Sequence, residues 1–145
     1  MVVGVHIPRF ELAVAAGGGA ATAQQGLAGR PLALAPAGGE TGGAGVRVGE
    51  VSGAAEACGV ARGMLLGEAL ARCPELVLVP ADPVRAQEAW EELLAALEGI
   101  GAAVEPARPG LAFFEAAGLS RLHGGAEGTI AAARRALGRP ARVGA

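Results

Sequence analysis

The stretch from Asp82 to Ile100 constrains this chain more than any other. Asp82 is suited to cap a helix and Pro83 to take its first position. Ala86, Ala89, Trp90, Leu93, Leu97 and Ile100 then recur at spacings of three and four, while Arg85, Glu88, Glu91, Glu92 and Glu98 mostly fall elsewhere. The spacing predicts an amphipathic helix running to about Glu98, one face of which has to be buried. Val2 to Ile7, apolar and closed by Pro8, reads as a buried strand. Phe10 to Ala16 reads as one or two helical turns, stopped by Gly17-Gly18-Gly19. After the long helix, Ala102–Pro106 and Leu111–Ala116 read as two strands joined by the turn Ala107-Arg108-Pro109-Gly110. A second helix near Ala126 to Leu137 buries Ile130, Ala133 and Leu137 and ends at Gly138 and Pro140. Ala141 to Gly144 begins another strand.

With residues 17–80 set aside, the order is strand, helix, strand, strand, helix, strand. That is the α+β, ferredoxin-like βαββαβ arrangement. Residues 1–16 and 81–145 would form one domain and 17–80 an inserted subdomain. In the insertion, Pro31–Ala35 is apolar, Pro36–Gly45 is a Gly-rich loop, and Val46–Val51 reads as the returning strand of that hairpin. Ser52 is placed to cap a helix through Cys58, ended by Gly59. A further short helix is expected over Gly67–Cys73, stopped by Pro74, and a strand over Leu76–Val79.

Some function classes are disfavoured. The formal net charge is −2, so the chain as a whole gives no electrostatic case for strong nucleic-acid binding. Residues 12–29 lack charge but hold Gln24, Gln25, Thr22 and several glycines, unlike a membrane span. The start has no basic segment ahead of a long apolar core, so no membrane association and a cytoplasmic location are expected. Cys58 and Cys73 lie fifteen positions apart with no CxxC and no neighbouring His pair, and read as small buried thiols rather than zinc ligands. The Gly-Gly pairs at 38–39, 42–43 and 124–125 precede no GK[ST], which rejects a phosphate loop.

Three segments carry a resemblance. GVHIPRFELAVA (Gly4–Ala15) is similar to V-D-M-D-x-F-F-A-x-V-E. The segment Ser52–Asp82 is similar to S-Y-E-A-R-x-x-G-V followed by G-M, a helix, C-P and V-P-x-D. VEPARPGLAFFEAAGL (Val104–Leu119) is similar to V-E-x-x-S-I-D-E-A-Y-L-D-x-T-G. Together they resemble the Y-family, or translesion, DNA polymerases over almost the whole chain, the middle segment being the most specific. The resemblance implies that the βαββαβ unit is a palm and the insertion a fingers subdomain. It also implies nucleotidyl transfer by two metal ions, and magnesium would need carboxylate oxygens to hold it.

The chain departs from that pattern where the chemistry sits. His6 stands at the first metal-binding Asp, Pro8 at a later acidic position, and Gly110 and Leu111 at the Asp-Glu pair. Gly53 and Glu56 stand at the Tyr and Arg that would contact a nucleotide triphosphate, where Glu56 would repel it. His6 is therefore expected to line a former cleft rather than to catalyse, and no cofactor is expected unless a divergent enzyme still binds magnesium. Glu11, Glu105 and Glu115 lie near these strands but read as solvated acids. Arg47, Arg62 and Arg72 are the candidates for phosphate contact.

The pattern resembles the catalytically inactive ImuB-like proteins, and implies an adaptor or DNA-associated role in DNA repair. Its partners would be an error-prone or replicative-type DNA polymerase, a sliding clamp and an accessory repair protein. The thumb and little finger expected of the family lie outside this sequence. The alternatives are an active but divergent DNA-directed DNA polymerase and a ferredoxin-like regulatory binding domain.

Overall fold

The computed structural model describes residues 1–17, 29–36, 45–139 and 141–145. The Gly17–Gly19 stop, the core of the Gly-rich loop, the Gly-Gly pairs at 38–39 and 42–43, and Pro140 lie outside the described residues in whole or part. The chain divides into two compact units, one of Met1–Pro8 with Gln87–Ala145 and one of Arg9–Ala86.

The first unit contains strands β1 (Val2–His6), β4 (Val104–Arg108), β5 (Leu111–Glu115) and β6 (Arg142–Gly144) in one sheet, ordered β4-β5-β1-β6. All neighbouring pairs are antiparallel. With its four strands taken in chain order, this is the 2-3-1-4 arrangement of a ferredoxin-like sheet. Strand alternation sorts the side chains: Val3, Val5, Ala112, Phe114 and Val143 are buried, while Gly4, His6, Leu111 and Phe113 lie on the opposite, more open face. Phe113 is 38% exposed.

The β4–β5 hairpin turns at Pro109-Gly110, and Gly110 adopts φ 87°, a left-handed conformation that glycine takes without steric cost. The register slips between Pro106 and Arg108, so one extra residue is accommodated there. β4 lies two residues later at both ends than the Ala102–Pro106 expected from the sequence, its last residues being those that the bulge adds. Pro106 is tolerated because β4 is an edge strand.

The long helix, α4, spans Pro83–Gly99, and the division between the units falls within it. Asp82 Oδ1 accepts from the Arg85 N–H at 3.1 Å, which is the expected cap. Ala86, Trp90, Leu93 and Leu97 are buried as the spacing requires. In the first unit a four-residue helix, α5 (Ser120–His123), precedes α6 (Ala126–Leu137). The buried face of α6 is Thr129, Ala132, Ala133 and Leu137; Ile130 is only half-buried, contrary to expectation. Thr129 is fully buried, and its hydroxyl donates to the Gly125 carbonyl at 2.9 Å. Gly128 sits so close to the end of α5 that a Cβ there would overlap the His123 carbonyl.

The second unit holds α1 (Phe10–Ala15), β2 (Leu32–Ala35), α2 (Gly53–Ala57), α3 (Leu66–Arg72) and β3 (Val77–Pro80). Helix α1 therefore counts with this unit, whereas the sequence reading placed residues 1–16 together. β2 and β3 form a parallel pair. Both faces are covered, which explains why all four residues of β2 are buried. Leu32, Leu34 and Val79 pack with Leu12 and Ala16 of the α1 segment. On the other face Ala33 joins Val48, Val51, Ala55, Val60, Ala69, Cys73 and Leu76.

The expected hairpin between Pro31–Ala35 and Val46–Val51 is only partly formed. Its ladder reduces to an isolated antiparallel bridge, Ala33–Val51, while the strand partner of β2 is β3. Leu34 N–H still donates to Glu50 O, and Gly49 N–H to Leu34 O, both at 2.8 Å. Ser52 caps α2 as expected: its Oγ accepts from the Ala55 N–H at 3.3 Å and also from the Leu32 N–H at 2.8 Å. Among the described residues no helix is long and apolar enough to cross a membrane.

Candidate functional site

In the first unit, β1 and β5 bring together positions that lie far apart in the chain. His6 is the direct cross-strand partner of Leu111, and on its other side of Arg142. The Ile7 N–H donates to the Gly110 carbonyl at 2.8 Å, closing the pairing at the turn. His6 is half-buried on the open face of the sheet, not in the buried layer of Val3 and Val5.

This cluster offers one imidazole, a backbone turn and an isobutyl group. Magnesium binds through several hard oxygen donors, and this set supplies no carboxylate. The residues present therefore do not fit the pair of magnesium ions that the family pattern implies. Of the acids that the sequence places near these strands, Glu115 is engaged. Glu115 accepts from the N-terminal ammonium at 2.6 Å and from the Ala117 N–H at 3.1 Å. The hydrogen bond from the ammonium, then that from Ala117, holds its carboxyl below the usual range. Glu105 is exposed on the edge strand β4 opposite Phe113, on the same sheet face as His6 but paired with a different residue of β5, and Glu11 belongs to α1 in the second unit.

The second unit carries a cleft of about 320 Å³ lined by Arg9, Glu50, Val51, Glu56, Ala61 and Arg62. Arg9 organises it. It is the one described non-glycine residue with a positive φ, at 53°, and it stands at the N-terminus of α1 without capping it through its own side chain. The cap comes from Glu50, whose Oε1 accepts from the Leu12 N–H at 3.0 Å. Arg9 Nε instead donates to Val51 O at 2.8 Å, and its Nη2 pairs with Glu56 Oε1 at 3.1 Å. A Cβ built on Gly53 would lie 4.0 Å from the same Nη2. Of the two positions that the sequence resemblance would give to triphosphate contacts, Glu56 pairs with the Arg9 guanidinium and Gly53 lies beside it.

Sequence reasoning did not single out Arg9. Its left-handed backbone and its reach across to residues 51 and 56 leave no local signature. Of the three arginines proposed for phosphate contact, Arg47 donates to the Gly63 carbonyl at 2.7 Å. Arg72 pairs with Glu68 at 3.2 Å and reaches the Gly59 carbonyl at 3.5 Å. Arg62 is exposed on the cleft with no hydrogen-bond or ion-pair partner among the described residues.

Comparison with known proteins decides the family. Residues 11–142 match the impB/mucB/samB family. The chain belongs to that family. No curated protein matches the sequence. Among solved structures, this family member is similar to a Y-family DNA polymerase chimera of Dbh and Dpo4 segments, with a TM-score of 0.78 and 21% identity. It is also similar to the Dbh DNA polymerase in an insertion ternary complex, with a TM-score of 0.78 and 20% identity. DinB from Sulfolobus solfataricus gives a TM-score of 0.78 and 19% identity. In each case 99% of this chain is covered, and the chain spans 41% of the length of the matched structure. The α+β fold is that of the corresponding part of the Y-family polymerases.

Proposed function

We propose that this member of the impB/mucB/samB family is a non-catalytic Y-family polymerase homologue. It serves DNA repair and translesion synthesis as an adaptor or DNA-associated partner, in the manner of ImuB-like proteins. The observation that carries this reading is the occupancy of the two degenerate clusters. His6 faces Leu111 where carboxylates would be needed, and Glu56 neutralises Arg9 where a cation would have to meet a triphosphate.

The two departures support each other because they remove different parts of one reaction. Without oxygen donors, two-metal activation of an in-line displacement has no anchor. With Glu56 facing the cleft, a polyanion meets repulsion in place of a clamp. The protein would act through contacts with an error-prone or replicative-type DNA polymerase, a sliding clamp and an accessory repair protein. Arg62 is the side chain best placed for a weak phosphate contact.

Calorimetric titration with a deoxynucleoside triphosphate, with and without magnesium, tests the reading. No saturable heat is expected in either condition. Saturable, magnesium-dependent binding, or primer extension by the purified protein that a chelator abolishes, would establish a divergent nucleotidyltransferase instead.

A further inference from the structure

The fold brings Cys58 and Cys73 together with Glu75. Cys58 closes α2 and Cys73 closes α3, and Glu75 lies in the turn leading to β3. The two Sγ atoms and a Glu75 carboxylate oxygen all lie within 4.8 Å of one another. Both thiols are free, Cys73 buried and Cys58 half-buried, while Glu75 is exposed. Among the described residues no other three His, Cys, Asp or Glu side chains come close enough to share a metal ion.

We propose that Cys58, Cys73 and Glu75 form a binding site for a thiophilic divalent cation of the zinc class, with water as the fourth ligand. The distances suit that ion. Tetrahedral zinc with sulfur at about 2.3 Å and oxygen at about 2.1 Å separates its ligand atoms by roughly 3.5–3.8 Å, which falls inside the 4.8 Å that encloses the three atoms. Magnesium and calcium do not suit it, because both prefer a shell of oxygens.

The scaffold is rigid where the ligands sit. Cys58 N–H donates to Ala54 and Ala55 carbonyls, Cys73 N–H to Ala69 O at 2.9 Å, and Cys73 O accepts from the Leu76 N–H at 3.0 Å. Both cysteines belong to the apolar cluster under β2 and β3. Bound as two thiolates and a carboxylate, the ligands would carry three negative charges, and Arg72, next to Cys73 in the chain, is already paired with Glu68. A divalent ion would offset two of those charges and tie the ends of two short helices to the start of β3. In the free protein, burial first, then the hydrogen bond and charge of Cys58, push the Cys73 thiol up to about 11, so the incoming cation displaces a proton.

The test uses the reduced chain, freed of metal and titrated with cadmium as a spectroscopic probe. Zinc competition is then read with a chromophoric chelator. One cadmium per chain is expected, with thiolate-to-cadmium charge-transfer absorption, displaced by one equivalent of zinc. Glu75→Gln and Cys58→Ser alter exposed or half-buried side chains, and their fold is checked by circular dichroism. Each is expected to weaken uptake by about tenfold or more, and Cys58→Ser to lose about half of the absorption. No stoichiometric uptake, an unchanged band in Cys58→Ser, or wild-type affinity in Glu75→Gln would each overturn the site.

Discussion

Replacing Glu56 by arginine tests whether the cleft of the second unit repels polyanions by design of its charges. The cleft carries Arg9 and Arg62 against Glu50 and Glu56, two charges of each sign. Glu56→Arg changes that to three positive against one negative, a swing of two charges at one position. The stability cost is small because the pair is exposed, its side chains at 42% and 57%. Losing an exposed ion pair costs about 0–1 kcal/mol. Two guanidiniums near 4 Å apart in water add a repulsion of about 1 kcal/mol. A melting temperature lower by roughly 3–8 °C is therefore expected for a chain of this size. On the binding side, one charge-assisted hydrogen bond to phosphate is worth about 1.5–3 kcal/mol. That corresponds to roughly 10- to 150-fold in triphosphate affinity. Calorimetry or fluorescence anisotropy with a labelled deoxynucleoside triphosphate reads the change, and the gain should shrink as salt rises. A folded Glu56→Arg variant that binds no better than wild type would refute the reasoning. So would a wild-type protein that already binds as tightly.

Three further outcomes follow from single contacts. Gly128→Ala drives a Cβ into the His123 carbonyl, and because backbone has to move, a loss of about 3 kcal/mol is expected by urea unfolding; a wild-type midpoint would mean the α5–α6 corner is not packed this way. Ser52→Ala removes the acceptor for both the Ala55 and the Leu32 N–H groups and should cost about 1–2 kcal/mol, checked in the same assay, with an unchanged midpoint counting against the shared cap. Glu115 has a depressed carboxyl in the folded state, so its contribution is complete above the unfolded value of about 4.3 and is lost as pH falls through the lower folded value; Glu115→Gln should flatten that acid limb in a series of thermal melts.

How much of this was legible in the sequence depended on whether the deciding contact was local. Helix α4 could be read because Asp82, Pro83 and the apolar stripe act within one segment. Ser52 could be read as a cap for the same reason. The partner of β2 could not, because an apolar run does not encode which strand lies beside it, and a parallel partner arrives only after two helices. The bulge at Pro106–Arg108 moved β4 because one inserted residue leaves no compositional mark. In α6 the run Ile130-Ala131-Ala132-Ala133 holds one bulky residue, and the fully buried positions proved to be Ala133 and Thr129, whose hydroxyl is satisfied by the Gly125 carbonyl. Cys58 and Cys73 meet only because two helix ends converge, which fifteen residues of spacing cannot reveal.

On the proposed reading, a polymerase frame persists without its reaction because the two draw on opposite faces of the sheet. Pairing of β1 with β5 and β6 rests on Val3, Val5, Ala112, Phe114 and Val143, all on the buried face. His6 and Leu111, which that reading places at former metal-binding positions, lie on the other face, so a change there leaves the buried layer untouched. Carboxylates directly opposite each other on neighbouring strands repel, and a bound cation is what offsets the repulsion. On the proposed reading, once one acid was lost and the cation with it, any acid remaining opposite would have been a liability. An imidazole facing an isobutyl group carries no such conflict, and the sheet is then held by burial and backbone pairing alone. On that reading, loss at one position favours loss at its partner, and the pairing of His6 with Leu111 is what such a sequence of changes would leave.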